Sequence, residues 1–220
     1  MSVCFDKVAV VYGFLEKVLF GSNLQRMRLQ YLDRMENSKQ ILLVGEGCGF
    51  FLKELLNVNE KAVITVIEPS ERMIYQAKAR VPVKDRDRVV FCNMTFDRFV
   101  PSETFDAAGT FFYWDCFREN QLKALLPKLF DCLKSEGFLI NVDFFELAHP
   151  DGTGLKLTHF ILLRILYGFF GFATGIENTR VLEIEPIAVA YGFYATDTCF
   201  DEKLPVKGQV FQRRFVKSHP

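Results

Sequence analysis

Several residue types are scarce in this chain, and each shortage argues against a class of function. Only one Trp and three His occur in 220 residues, so a histidine-built metal site is short of ligands. The six cysteines show no Cys-x-x-Cys spacing, which favours buried thiols in a reducing compartment. Lys plus Arg and Asp plus Glu both number 27, so no overall positive field attracts nucleic acid or an anionic bilayer.

The chain also lacks an obvious targeting or membrane-spanning segment. Its first residues do not combine a basic region with a long apolar run, so we expect no signal peptide and a cytoplasmic location. The most apolar stretch, residues 159–176, is interrupted by Arg164 and three glycines. It falls short of the ~20 apolar residues that a spanning helix requires. We therefore expect a buried or pocket-covering helix and no stable membrane insertion.

Phenylalanine is abundant, with 24 residues in a chain that is half apolar. These rings fill a core or line a pocket for an apolar or planar small molecule, and composition alone leaves both interpretations open. The length suits one α/β domain with a sizeable core.

The most informative pattern is a glycine turn between two apolar segments. Residues 41–44 are apolar, Gly45, Gly47 and Gly49 follow, and a second apolar run over 64–67 ends at Glu68. This order predicts strand, turn, helix, strand and carboxylate, the arrangement by which a parallel α/β sheet presents a nucleoside-bearing cofactor. A carboxylate at the end of the second strand can accept both ribose hydroxyls.

The glycine spacing separates two cofactor classes. A dinucleotide turn has a third glycine at the position that Phe50 occupies here, so a nicotinamide-dependent oxidoreductase is disfavoured. Glu46 within the turn is unfavourable for a phosphate but suits a cationic sulfonium with an amino-acid tail. The turn and Glu68 together resemble those of the class I S-adenosylmethionine-dependent methyltransferases, and the resemblance extends over roughly residues 5 to 215.

The resemblance implies an α/β fold with a doubly wound, mostly parallel seven-stranded sheet of the Rossmann-like methyltransferase type. It implies one domain over 1–220, with a helical cap at 1–38, a cofactor-binding core at 39–146, and an acceptor-side helix and terminal hairpin at 147–220. Periodicity predicts two N-terminal helices and an antiparallel hairpin that closes the sheet, and Ser70 is a predicted helix cap. Residues 134–137 resemble the family's turn before the fifth strand, where Gly137 keeps the turn possible.

The same resemblance assigns the donor, S-adenosylmethionine, to residues at the carboxyl ends of the strands. The predicted cofactor-binding residues are Gly45, Glu46, Gly47, Gly49, Glu68, Pro69, Met94, Thr95 and Thr110. The family often places an acid after the third strand to bind the adenine amino group. This chain has Asn93, Met94 and Thr95 there, so Asn93 or Thr95 would substitute as a neutral acceptor.

The acceptor side is predicted from aromatic and titratable residues. The candidate substrate-binding residues are Tyr12, Phe111, Phe112 and Trp114, although each could equally be ordinary helix or core. Asp115, His149 and His159 are the candidate catalytic bases, Asp143 is a further acid, and His219 lies near the chain end. We expect no metal, because Asp115, Asp143 and Asn141 match no dense carboxylate cluster.

The leading hypothesis is a methyltransferase that acts on a small, largely apolar or aromatic molecule by direct in-line transfer. Orientation of donor and acceptor supplies much of the catalysis, so an obvious base is not required. The alternative is a non-catalytic nucleoside-binding or interaction protein that retains the fold. The expected partner is a small-molecule acceptor and not a nucleic acid, and homo-oligomer formation stays open.

Overall fold

The structure is a computed structural model that describes residues 23–145, 182–201 and 204–214. Tyr12, His149, His159 and His219 lie outside the described residues, as does the apolar segment 159–176. The predictions made for them stay predictions.

The described strands form one seven-stranded sheet in the order β3-β2-β1-β4-β5-β7-β6. The strands are β1 (Gln40–Val44), β2 (Val63–Ile67), β3 (Val89–Cys92), β4 (Phe105–Phe111), β5 (Leu133–Phe144), β6 (Phe193–Phe200) and β7 (Val206–Arg213). The first five run parallel, whereas β7 is antiparallel to both β5 and β6. The predicted doubly wound sheet with a terminal hairpin is confirmed.

The helices that flank this sheet are short. They are α1 (Asn23–Leu29), α2 (Phe50–Val58), α3 (Glu71–Arg80), α4 (Glu119–Asp131) and α5 (Glu185–Ala190). The predicted cap of α3 is confirmed, since the Ser70 hydroxyl accepts a hydrogen bond from the Met73 N–H at 3.2 Å. Single 3-10 turns connect several of the elements.

Strand β1 shows why the sheet is covered on both faces. All its apolar residues are buried, and alternate side chains point to opposite sides. Ile41 and Leu43 join one apolar cluster, with Phe51 and Leu55 of α2. Leu42 and Val44 join the other, which includes residues of α4. The strand is thus buried between two layers, and its polar neighbours are confined to its ends.

The turn predicted at 134–137 is wrong as a boundary, because these residues belong to β5. Phe105 pairs with Leu133 and Ala107 pairs with Phe138, so the single residue Asp106 of β4 lies opposite four residues of β5. The extra residues form a bulge. Lys134 anchors it through a 2.7 Å contact between its Nζ and Asp106 Oδ1.

Among the residues that the structure describes, no helix is both long enough and apolar enough to cross a bilayer.

Candidate active site

The three glycines after β1 form a turn that requires glycine. Gly45, Gly47 and Gly49 have φ angles of 70°, 66° and 83°, in the left-handed region that other residues rarely adopt. The turn brings the chain from the end of β1 into α2, which begins immediately after Gly49. It lies at the carboxyl edge of the sheet, where open α/β folds bind ligands.

The surroundings of the three glycines differ. A Cβ on Gly49 would lie 2.7 Å from the Ala77 Cα, so this glycine lets α2 approach α3. A Cβ on Gly45 would lie 2.4 Å from Cδ2 of Tyr113, whose ring packs against the turn. At Gly47 the nearest described atom is the Met73 sulfur at 3.7 Å. Among the described residues, the position of an added Cβ is thus less crowded at Gly47 than at Gly45 or Gly49.

Glu68 lies at the end of β2 and points toward this turn. Its Oε2 accepts the Gly47 N–H at 3.1 Å, and its Oε1 accepts the Ser70 N–H at 2.9 Å. The residue is only 4% exposed, so these charged hydrogen bonds are shielded from water. The carboxylate therefore joins the glycine turn to the start of α3, at the place predicted for a ribose.

Glu46 is the acidic residue inside the turn. Its Oε1 accepts the Leu52 N–H at 2.9 Å, which caps the first turn of α2. Loss of solvation raises the pKa of Glu46 to about 7, and the charge of Arg28 opposes this rise while that of Glu68 adds to it. A carboxyl group with such a pKa changes its charge near neutrality.

The segment predicted to contact adenine is neutral. The Asn93 side-chain amide donates to the carbonyl oxygens of Glu68 at 3.3 Å and Pro69 at 2.9 Å. Its own carbonyl oxygen is thus the atom suited to accept an amino hydrogen. Met94 is exposed, and Thr95 is half-buried at the start of a 3-10 turn. Pro69 directly follows Glu68 after β2, and Met94 and Thr95 follow β3, the strand that pairs with β2.

Two predicted site residues at the end of β4 are engaged in the core. Thr110 and Trp114 are both 0% exposed. The indole N–H of Trp114 donates to the Thr110 hydroxyl at 3.2 Å, and that hydroxyl donates to Asn141 Oδ1 at 2.9 Å. Phe111 is also buried, with its ring centroid 4.1 Å from that of Phe51. This geometry favours a structural role for all three.

Phe112 differs from its neighbours in backbone and environment. Its φ of 55° is unusual for a bulky residue. The ring is half-buried, lies 5.0 Å from the Phe144 ring, and faces the Arg28 guanidinium at 4.9 Å. Among the predicted aromatic residues of the described chain, Phe112 is the one placed between the N-terminal helix α1 and the end of the sheet.

Two carboxyl groups meet at the ends of β4 and β5. Asp143 accepts hydrogen bonds from three backbone N–H groups, those of Trp114, Asp115 and Phe144, at 2.9 to 3.3 Å. Burial and the nearby charge of Asp115 raise the pKa of Asp143 well above its usual value. Loss of solvation likewise raises the pKa of Asp115 to about 6, although the Cys116 thiol donates to its Oδ1 at 3.4 Å.

The Asp115 shift predicts a pH-dependent stability difference. A folded-state pKa above the unfolded one means that Asp115 contributes stability below about pH 4 and that this contribution is lost as pH rises through about 6. Asp115→Asn cannot ionise but keeps an oxygen acceptor for Cys116. We subtract the wild type's free energy of unfolding from that of the variant. We expect this difference to be roughly 1–2 kcal/mol more favourable to the variant at pH 7.5 than at pH 4.5. Urea titrations at both pH values test this, with the exposed Asp131→Asn as control, and a constant difference would refute it.

Sequence reasoning missed Arg28 and Tyr113. Arg28 is 7% exposed although arginine is rarely buried, and nothing in the helical pattern of α1 marks it as inward-facing. Tyr113 lies within the aromatic run after β4, but its contact with Gly45 depends on how two distant loops meet. Among the residues that the structure describes, no group of three or more His, Cys, Asp or Glu could hold a metal ion.

The parallel sheet with its reversed terminal hairpin, the glycine turn and the acid after β2 together define a Rossmann-like methyltransferase fold. Solved structures agree. Mitomycin 7-O-methyltransferase MmcR superposes with a TM-score of 0.70 at 13% identity, over 96% of this chain and 61% of that one. CalO1, a methyltransferase in calicheamicin biosynthesis solved with SAH bound, gives 0.63 at 15% identity, over 96% and 60%. The N-methyltransferase NodS from Bradyrhizobium japonicum gives 0.57 at 15%, over 87% and 93%.

Sequence comparison also finds methyltransferases. Residues 41–137 match the model of the family described as a methyltransferase domain. Malonyl-[acyl-carrier protein] O-methyltransferase of Bacillus anthracis is 32% identical over 131 residues, which are 59% of this chain and 45% of that protein. Residues 41–137 are therefore similar to a methyltransferase domain, and the fold is that of the Rossmann-like methyltransferases. It aligns with less than half the length of that curated relative.

Proposed function

We propose that the protein transfers the methyl group of S-adenosylmethionine directly, by in-line displacement, to a small and largely apolar or aromatic molecule. The observation that carries the proposal is the contact between Glu68 and the Gly47 N–H, within a turn of left-handed glycines. A preorganised acid at the glycine turn is what a ribose needs.

The residues present fit this donor. Left-handed glycines remove side chains from the turn, Glu68 supplies an acceptor for sugar hydroxyls, and Glu46 adds negative charge for a cationic ligand. Pro69, Asn93, Met94 and Thr95 would border the adenine. When bound, the donor supplies a reactive sulfonium methyl group, and the protein's task is to orient the acceptor and exclude water.

The acceptor side is assigned to Phe112, the stacked Arg28, and Asp115. Asp115 is the described residue best suited to take a proton from a hydroxyl acceptor, because its pKa is raised to about 6 at the end of β4. Tyr12, His149 and His159 complete the proposed set from outside the described residues. The names of MmcR and CalO1 refer to mitomycin and calicheamicin, which supports testing aromatic and natural-product-like acceptors first.

A second candidate is a non-catalytic protein that binds the nucleoside through the same turn. The neutral segment at Asn93 favours it, since the resembling enzymes often have an acid there. Both candidates require donor binding, and only the first requires turnover.

Calorimetry on the full chain tests the proposal. We expect heat of binding with S-adenosylmethionine and with its demethylated product, and none with NAD. Donor consumption is then screened with phenols, amines, carboxylates and a carrier-protein-bound malonyl group, the last because of the Bacillus anthracis relative. Absence of donor binding would overturn the proposal, and binding without any turnover would favour the second candidate.

A further inference from the structure

The glycine turn carries an uneven set of charges. Two carboxylates, those of Glu46 and Glu68, act on each other across Gly47, and Arg28 from α1 is the cation whose charge reaches Glu46. With both acids ionised, these three groups sum to one negative charge. A ligand with one net positive charge would neutralise the site, whereas a neutral ligand would not.

Contacts with Gln25 and Phe112 hold the Arg28 side chain in place. It is 7% exposed, its Nη1 donates to Gln25 Oε1 at 3.3 Å, and its guanidinium stacks on the Phe112 ring at 4.9 Å. These contacts tie the cation to α1 and to the end of β4. A guanidinium carries a single positive charge, so Arg28 balances the charge of one carboxylate.

The donor and the product of methyl transfer differ by one charge at the sulfur. The acceptor's lone pair forms the new bond to the methyl carbon, the pair of the breaking carbon–sulfur bond returns to sulfur, and any acceptor proton leaves to a base or to water. The sulfonium becomes a thioether, so the ligand's net charge falls from +1 to zero while its sugar, base and amino-acid groups are unchanged. Contacts to those shared groups therefore cannot make the donor bind more tightly than the product.

We propose that Glu46 makes the site prefer the cationic donor over the neutral product, so that methyl transfer itself weakens binding and promotes product release. This inference rests on the proposed function and concerns the same site. Glu46 is assigned this role because it is the acid within the glycine turn itself, and its bond from the Leu52 N–H holds the carboxylate at the start of α2. Glu68 is instead the acid that the proposed function gives to the ribose hydroxyls, which donor and product share.

The pH dependence of binding supplies a test without mutation. Loss of solvation raises the pKa of Glu46 to about 7, against the opposing charge of Arg28, with Glu68 adding to the rise and the N–H groups of Leu52 and Phe51 lowering it. Glu46 thus gains its charge between pH 6 and pH 8. Calorimetry with S-adenosylmethionine and its demethylated product should show the ratio of product Kd to donor Kd increasing across this interval.

Glu46→Gln isolates the charge, because glutamine keeps an oxygen acceptor for the Leu52 N–H. At pH 8 we expect donor affinity to fall about 10-fold and product affinity to change less than about 2-fold. In this variant the ratio of product Kd to donor Kd should no longer show the pH dependence caused by Glu46. Only the pH dependence caused by the ligands' own amino groups should remain. The exposed Glu60→Gln is the matched control and should leave both affinities unchanged.

The outcomes separate this inference from the function on which it rests. Selective loss of donor affinity in Glu46→Gln, or the pH-dependent ratio in the wild type, supports it. Equal losses for both ligands, or no change for either, overturn it while donor binding by the wild type leaves the proposed function standing. A wild type that binds neither ligand overturns both.

Discussion

Glu68→Ala is expected to lower the free energy of unfolding by about 3 kcal/mol and to weaken donor binding by more than about 10-fold. The substitution leaves the Gly47 and Ser70 N–H groups without their carboxylate acceptor, and each buried unpaired donor costs roughly 1–3 kcal/mol. It also removes the acceptor proposed for the ribose. Chemical denaturation measures the first effect and calorimetry with S-adenosylmethionine the second.

Two comparisons sharpen the Glu68 experiment. Glu71→Ala changes an exposed glutamate in the first turn of α3, so it controls for loss of an acid near the site. Glu68→Gln keeps one oxygen acceptor and should lose less stability than Glu68→Ala. Unchanged donor affinity in both Glu68 variants would remove this residue from the donor site.

Gly49→Ala is expected to destabilise the fold by about 3 kcal/mol or more and to abolish donor binding. A left-handed alanine costs roughly 1–2 kcal/mol, and overpacking adds a similar amount. The new methyl group would lie 2.7 Å from the Ala77 Cα and 2.8 Å from its Cβ, so α2 and α3 would have to separate. The turn between β1 and α2 would move with them.

Gly192→Ala is the matched control for Gly49→Ala. Gly192 has a similar φ of 78°, and no atom of the described residues lies within 4 Å of the position of its added Cβ. This variant should therefore show only the backbone cost, roughly 1 kcal/mol, and should bind the donor normally. Equal losses of stability in the two variants would contradict a packing role for Gly49.

Several elements of the fold could be predicted from local sequence patterns, because the tertiary structure keeps the conformation that those patterns favour. Apolar runs bounded by glycine, proline and a capping serine located β1, β2 and α3 nearly to the residue, because a buried parallel strand and a capped helix each impose their own pattern. The bulge at 134–137 was misread as a turn because Gly137 and Ser135 are typical of both. The pairing with β4 that separates the two is a contact between strands.

In the candidate site, too, some residues could be placed from the sequence and others only from the tertiary structure. Gly45, Gly47, Gly49 and Glu68 could be placed from spacing, since a strand, a turn and the next strand's end fix their positions relative to each other. Thr110 was predicted to bind the donor and Trp114 the acceptor, but an aromatic or hydroxyl residue at the end of a strand faces a pocket or a core depending on the loop's conformation. The structure turns both into the core and leaves Phe112 at the border.

The sequence by itself determined the sheet, the turn and the acid at its edge, because these follow from the order of residues along one crossover. Only the tertiary structure decided which charges meet there. It buried Arg28 beside Glu46, packed Tyr113 on Gly45, and joined Asp115 to Asp143. These groups lie far apart in the chain, and the loss of water that shifts the pKa values of Glu46 and Asp115 occurs only when the layers close over them.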